Sequence, residues 1–265
     1  MKLGFLGGGK MAEAILADII KTATVAANNI YVCDINSERC QFLQDNYAIN
    51  ISPDSKSLMD SADVIFLAVK PQQLDELLQN IAPASAPHHL FVSIAAGKLT
   101  SSMQKLLPNA RIIRVMPNMA AFVSEAMCVF CRGNLATDAD CQTTEKLLSC
   151  FGKVLEMSED KFDAVTALSG SGPAFCAYFA EAMAEAAASL GLQPDQAALM
   201  AAQTMLGTAK LLTDTNFTCS SLINAISSAK GTTVAGMDVL RESSLKTIIN
   251  NTLTAAANRS KELSI

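Results

Sequence analysis

Short apolar runs alternate with helix-period stretches along the first 157 residues. Residues 2–6, 30–33, 64–69, 90–94, 111–116, 127–131 and 154–157 are apolar runs rich in Val, Ile and Phe, and predict strands. Between them, residues 12–21, 37–46, 74–81, 100–106 and 138–151 place apolar side chains three or four apart, and predict helices. Several strand runs are apolar without alternation, as a parallel sheet covered on both faces requires. The first part therefore reads as an α/β layer structure. After the polar stretch "EMSEDKFDAV" the strand-like runs stop. Residues 174–190, 194–213, 219–228 and 245–262 all carry the helical period. Gly191 suits a helix stop and Pro194 a helix start. A domain boundary is expected near residue 158, with an α/β domain over residues 1–158 and an all-helical domain over 159–265.

Composition narrows the function. The chain has 265 residues, half of them hydrophobic, and a net charge of −5 with scattered acids and bases. No basic stripe invites nucleic acid. No stretch reaches the roughly 20 continuous apolar residues that span a bilayer. The N-terminus "MKLGFLGGG" lacks a secretory apolar segment and cleavage site, so the expected location is cytoplasmic and the eight cysteines are expected as reduced thiols. Cys128 and Cys131 have C-x-x-C spacing, but on an alternating strand their side chains face opposite ways. His88 and His89 stand in a proline-rich loop. No metal site is expected.

"KLGFLGGGKMAEAIL" runs from a strand through a glycine turn into a helix. Gly7, Gly9 and Ala12 fit G-x-G-x-x-A. In that pattern the first glycine makes the turn, the second admits a pyrophosphate, and the small third residue lets helix and sheet approach. Strand before and helix after are the context that gives the motif meaning. A Rossmann-type dinucleotide-binding domain is expected. Asp34 closes the second strand, where a carboxylate can bond both ribose hydroxyls of NADH and would repel the 2′-phosphate of NADPH. Lys70 and Pro71, in "FLAVKPQ", fall at the C-terminal edge of a strand, where open α/β sheets bind ligands.

A second glycine cluster, "ALSGSGPAF", begins the helical half. Together with "GFLGGGKMAEAI", "AVKPQ", "RVMPN" and "SSAKGTTVAG", in that order, it makes the chain resemble the pyrroline-5-carboxylate reductases over almost its whole length. The resemblance implies reduction of 1-pyrroline-5-carboxylate to L-proline, the last step of proline biosynthesis, with NADPH or NADH. It implies a homodimer through interleaved C-terminal helices, with dimers that often assemble into a decamer. It assigns Gly7, Gly8, Gly9, Lys10, Met11 and Ala12 to the pyrophosphate, and Asp34 and Ser55 to the adenosine ribose region. Ala68, Val69, Lys70, Pro71, Ala95, Ala96 and Gly97 would line the dinucleotide. Glu159, Ser228, Lys230, Gly231, Thr232 and Thr233 would meet a cyclic imino acid, in a loop that the family takes from the partner subunit. Thr233 is the expected catalytic group, donating toward the imine nitrogen. The family usually has Asn-Thr-Pro where this chain has Asn118-Met119-Ala120, and Ser-Pro-Gly-Gly where it has Ser228-Ala229-Lys230-Gly231. An Asn common just before that loop aligns with Ala225. NADPH is the family's usual cofactor, whereas Asp34 favours NADH.

Other readings stay open. A non-catalytic nucleotide-binding paralogue would keep the glycine loop and lose turnover. A reductase of the six-membered piperideine carboxylate would differ by one methylene, about 1–3 kcal/mol of pocket selectivity. The β-hydroxyacid dehydrogenases share the two-part plan but need a lysine after the second glycine cluster. None occurs here between Lys161 and Lys210.

Overall fold

The computed structural model describes residues 1–263. Eight strands form one sheet: β1 (Leu3–Leu6), β2 (Ile30–Cys33), β3 (Asn50–Ile51), β4 (Val64–Leu67), β5 (Leu90–Ser93), β6 (Arg111–Met116), β7 (Ala126–Arg132) and β8 (Gly152–Glu156). The order is β3-β2-β1-β4-β5-β6-β7-β8. All pairings are parallel except β6 with β7. That exception corrects the expectation of a parallel sheet. Only Pro117 to Glu125 separate β6 from β7, with a short 3₁₀ turn at Met119–Val123. A parallel crossover needs a dozen residues or more.

Helices cover both faces. Phe5, Val64, Phe66, Val92 and Val115 point into one apolar layer with Ile15 and Ile19 of α1 (Lys10–Lys21), Leu43 of α2 (Ser37–Tyr47) and Leu147 of α6 (Asp138–Leu148). Leu6, Ile65, Leu67, Phe91 and Ile112 form the opposite layer with α3 (Ser55–Met59), α4 (Pro71–Ile81) and α5 (Thr100–Leu106). Neighbouring residues of one strand thus belong to different layers, the period of two that strands impose. Phe5 and Phe66 stack in parallel strands, centroids 4.7 Å apart. Cys128 and Cys131 also fall in different apolar layers.

After β8 come α7 (Phe162–Val165), a π-helical turn at Thr166–Gly170, and five helices: α8 (Gly172–Ser189), α9 (Pro194–Asp214), α10 (Cys219–Ile226), α11 (Thr232–Glu242) and α12 (Leu245–Leu263). Packing divides the chain into two compact units. One is Met1–Ser171 joined by the segment that starts at Ala256; the other is Gly172–Ala255. The last two residues of the expected helical domain, Ser264 and Ile265, lie outside the described residues. Among the described residues, no helix is long and apolar enough to cross a membrane.

Candidate active site

The chain runs from β1 to β2 on one side of the sheet and reaches β4 on the other, so the order reverses between β1 and β4. In such sheets the crevice at the strands' C-terminal ends is where ligands bind. Gly7, Gly8 and Gly9 follow β1, Asp34 follows β2, Ala68, Val69, Lys70 and Pro71 follow β4, and Ala95, Ala96 and Gly97 follow β5. Parallel pairing therefore gathers these expected cofactor residues on one edge. Ser55 opens α3, one residue past its cap Asp54.

Gly7 has φ +101, and a Cβ there would sit 2.6 Å from the Ala68 carbonyl oxygen. Only glycine meets both demands. Its N–H donates to Cys33 O at 2.9 Å, tying the turn to β2. Gly9 precedes α1 with no side-chain cap, and a Cβ on it would touch nothing within 4 Å. Open space in front of uncapped helix-start N–H groups fits a pyrophosphate. Ala12 is fully buried, letting α1 lie close to the sheet.

Both carboxylate oxygens of Asp34 are held by backbone N–H groups. Its Oδ2 accepts from the Gly8 N–H at 2.6 Å and its Oδ1 from the Asn36 N–H at 2.9 Å. Beside it lies Arg39, whose importance spacing did not reveal. Its Nε donates to Gly8 O at 2.5 Å and an Nη2 to Glu13 Oε2 at 2.6 Å, with the guanidinium over the Phe42 ring at 5.0 Å. Glu13 also accepts from Lys10 and from the Tyr47 hydroxyl. Burial opposes its charge, but the Arg39, Lys10 and Tyr47 hydrogen bonds hold its carboxyl below the usual range. Arg39 thus braces the glycine loop.

Within the sheet unit, the second glycine cluster is tied through Ser169 to the turn between β6 and β7. Asn118 Nδ2 donates to Ser169 O at 3.2 Å, while its Oδ1 accepts from the Ala120 and Met127 N–H groups. A Cβ on Gly170 would collide with the Met116 side chain, so this bare backbone lets the π-turn press against the end of β6. Glu159 lies at the start of the same segment and bonds Thr100 and Arg114. Arg114 was missed as well. An arginine inside the apolar run "RIIRVM" was the signal: buried charge demands a partner.

In the other unit, residues 227–231 link α10 to α11. The Gly231 N–H donates to Ser228 O at 2.9 Å. Lys230 takes φ +60, a region that favours glycine, which accounts for the family's glycine at this place. Gly231 occupies the N-cap position of α11 without a side-chain cap, and Thr232 and Thr233 form its first turn. N–H groups left without a side-chain cap at the start of an eleven-residue helix suit a carboxylate.

A doubly wound sheet with a glycine turn at its switch point defines a dinucleotide-binding protein of the oxidoreductase type. Comparison with known proteins is more specific. Residues 159–263 match the family model for pyrroline-5-carboxylate reductase dimerisation, and residues 2–97 match that for NADP oxidoreductase, coenzyme F420-dependent. A pyrroline-5-carboxylate reductase of Methanosarcina acetivorans is 38% identical, covering 99% of this chain and 97% of its own length. The solved structure of a Coxiella burnetii pyrroline-5-carboxylate reductase superposes with a TM-score of 0.96 at 31% identity, covering 100% of this chain and 98% of that one. A Plasmodium falciparum pyrroline carboxylate reductase solved with NADP bound gives 0.86 at 26% identity, covering 100% and 98%. The chain belongs to the pyrroline-5-carboxylate reductase family.

Proposed function

We propose that the protein reduces 1-pyrroline-5-carboxylate to L-proline with NAD(P)H. The observation that carries this reading is family membership along 99% of the chain, joined to a glycine loop that fits a dinucleotide. When bound, the reduced nicotinamide supplies a hydride to the imine carbon. Gly7, Gly8, Gly9, Lys10, Met11 and Ala12 hold the pyrophosphate; Asp34 and Ser55 hold the adenosine ribose region. Ala68, Val69, Lys70, Pro71, Ala95, Ala96 and Gly97 line the rest. Ser228, Lys230, Gly231 and Thr232 receive the substrate carboxylate at the start of α11. The Thr233 hydroxyl donates to the imine nitrogen, directly or through a water, as that nitrogen gains its proton and becomes an amine. Residues 1–158 act as the nucleotide domain and residues 159–265 as the substrate and dimerisation domain. The helices of the latter pair two chains into a dimer, and dimers assemble into a decamer. The eight cysteines are free thiols, which suits a reducing cytoplasm.

The test is loss of reduced-nicotinamide absorbance with synthetic pyrroline carboxylate, NADH and NADPH side by side. Asp34 supports NADH, and the family's habit supports NADPH. The six-membered imine serves as competitor. Thr233→Ala should lower kcat by about 100-fold, with dinucleotide affinity within about twofold. Unchanged turnover removes Thr233 from the chemistry. No turnover with either nucleotide, from a folded oligomer, would favour a binding protein instead.

A further inference from the structure

Helix α5 begins without a cap of its own. Leu99, at its N-cap position, offers no side-chain acceptor, although first-turn N–H groups need one. The acceptor arrives from a distant part of the sequence. Glu159 Oε1 accepts from the Thr100 N–H at 2.8 Å, and its Oε2 accepts from the Thr100 hydroxyl at 2.7 Å. Its negative charge also suits a helix start. The same Oε1 accepts from Arg114 Nη1 at 3.0 Å. Arg114 is only 3% exposed, on β6, with its guanidinium 4.5 Å from the Phe162 ring centre. A charge so buried fixes its carboxylate partner strongly, because breaking the pair strands it.

What Glu159 fixes is the end of the β5–α5 loop, which carries Ala95, Ala96 and Gly97 to the sheet's ligand edge. Elsewhere the loop is held by buried Ala95 and by the Ile94 N–H, which donates to Leu67 O at 3.2 Å. Lys98 Nζ meets Asp75 of α4 at 2.7 Å, and the Ala95 N–H reaches the buried Ser93 hydroxyl at 3.4 Å. Gly97 takes φ +73, so the loop bends sharply just before its anchor.

We propose that Glu159 is a positioning residue for the dinucleotide: a borrowed helix cap that sets the loop of Ala95 to Gly97, held in place by buried Arg114. Family resemblance assigns it to the substrate; its three hydrogen bonds give it this job instead. The inference rests on the nucleotide reading above.

The experiment uses the full chain and measures two constants separately: Kd for NADH and NADPH by the fluorescence of the bound nucleotide, and KM for pyrroline carboxylate. Glu159→Ala should weaken nucleotide binding about tenfold and lower kcat, leaving the imine KM within about twofold. Glu159→Gln keeps an acceptor for Thr100 and should recover most of the loss. Thr100→Val keeps its N–H and loses its hydroxyl, so it should weaken binding about threefold. Thr100→Val added to Glu159→Ala should do no further harm. An imine KM raised tenfold with nucleotide Kd unchanged would make Glu159 a substrate contact and overturn the proposal. So would unchanged constants with only a lowered Tm. If Glu159→Ala fails to fold, the Gln and Thr100 variants decide by the same criteria. If the natural protein does not reduce the imine but the Kd shifts appear, the positioning role stands and the substrate reading falls.

Discussion

The two units bury their apolar residues in opposite ways. In the sheet unit Phe5, Phe66, Phe91 and Phe151 are wholly enclosed between sheet and helices. In the helical unit, Gly172–Ala255, the buried side chains among the described residues are Ala197, Ala201 and Leu222. Tyr178, Leu199 and Val239 are 73%, 70% and 70% exposed. Apolar surface of that kind marks a contact face. The first unit encloses its apolar side chains within itself; the second leaves apolar faces open, and in the proposed dimer a second copy covers them. This also explains its sequence texture: alanine-rich helices without aromatic core clusters make poor solitary cores and good close-packed interfaces.

The largest expected effect tests this contrast directly. Phe66→Ala removes a ring stacked on Phe5 and should destabilise the chain by about 3–5 kcal/mol. Leu199→Ala should change the stability of the dilute monomer by less than about 1 kcal/mol, yet weaken self-association. Urea unfolding at several protein concentrations, with light scattering, reads both. Equal losses in dilute protein would erase the distinction.

A second test uses acid. Both histidines lie in the sheet unit. His89 is buried; its Nδ1 accepts from the Ala86 N–H at 3.0 Å, so Nε2 is left to donate to Met59 O at 3.1 Å. Burial, aided by His88, pushes its pKa below the ordinary 6.5, against the pull of Met59 O, Asp63 and Asp60. Below 6.5 the unfolded chain takes up a proton that the folded chain refuses. Stability should therefore fall as pH drops from 6.5 toward the lower folded value, and level off beneath it. His89→Gln should flatten that slope while leaving self-association untouched. A slope that survives the substitution would assign it to other groups.

The smallest expected effect lies in the α10–α11 link. Lys230→Gly relieves a left-handed penalty of about 1–2 kcal/mol and adds backbone entropy of about 0.5–1 kcal/mol. A net gain of about 0.5–1 kcal/mol in thermal unfolding is expected, together with a higher imine KM if the proposed carboxylate site loses a cation. A lower KM would mean that the side chain crowds the substrate.

Much of this was legible from residue patterns. Strong apolar runs marked seven strands, and the glycine turn and Asp34 were placed correctly at the ends of β1 and β2. The two-residue β3 and the five-residue α3 were too short to show a period. Helix α11 does not show in the pattern because its Gly-Thr-Thr opening, Val234 and Gly236 are weak helix formers; the sequence offers only a loop there. Helices α1 and α4 begin earlier than periodicity suggested, at Lys10 and Pro71, because first-turn residues face outward. Helix α6 ends earlier, at Leu148, since the chain must turn before Gly152 pairs with Ala126. The antiparallel β7 followed from linker length, not from its own residues. The bonds of Arg39, Arg114 and Thr100 do not show in the sequence, because their partners, Gly8, Glu13 and Glu159, lie 26 to 59 positions away. Linear spacing carries no trace of such bonds.

Helix α12 leaves the helical unit and finishes in the first one, where the Ser260 hydroxyl donates to Asp163 at 2.7 Å. The first unit is thus built from two separate stretches of the sequence, with the whole of the second unit inserted between them. During synthesis the segment that starts at Ala256 must emerge before the first unit can close. A graft exchanging helical units between relatives has to match two seams, not one.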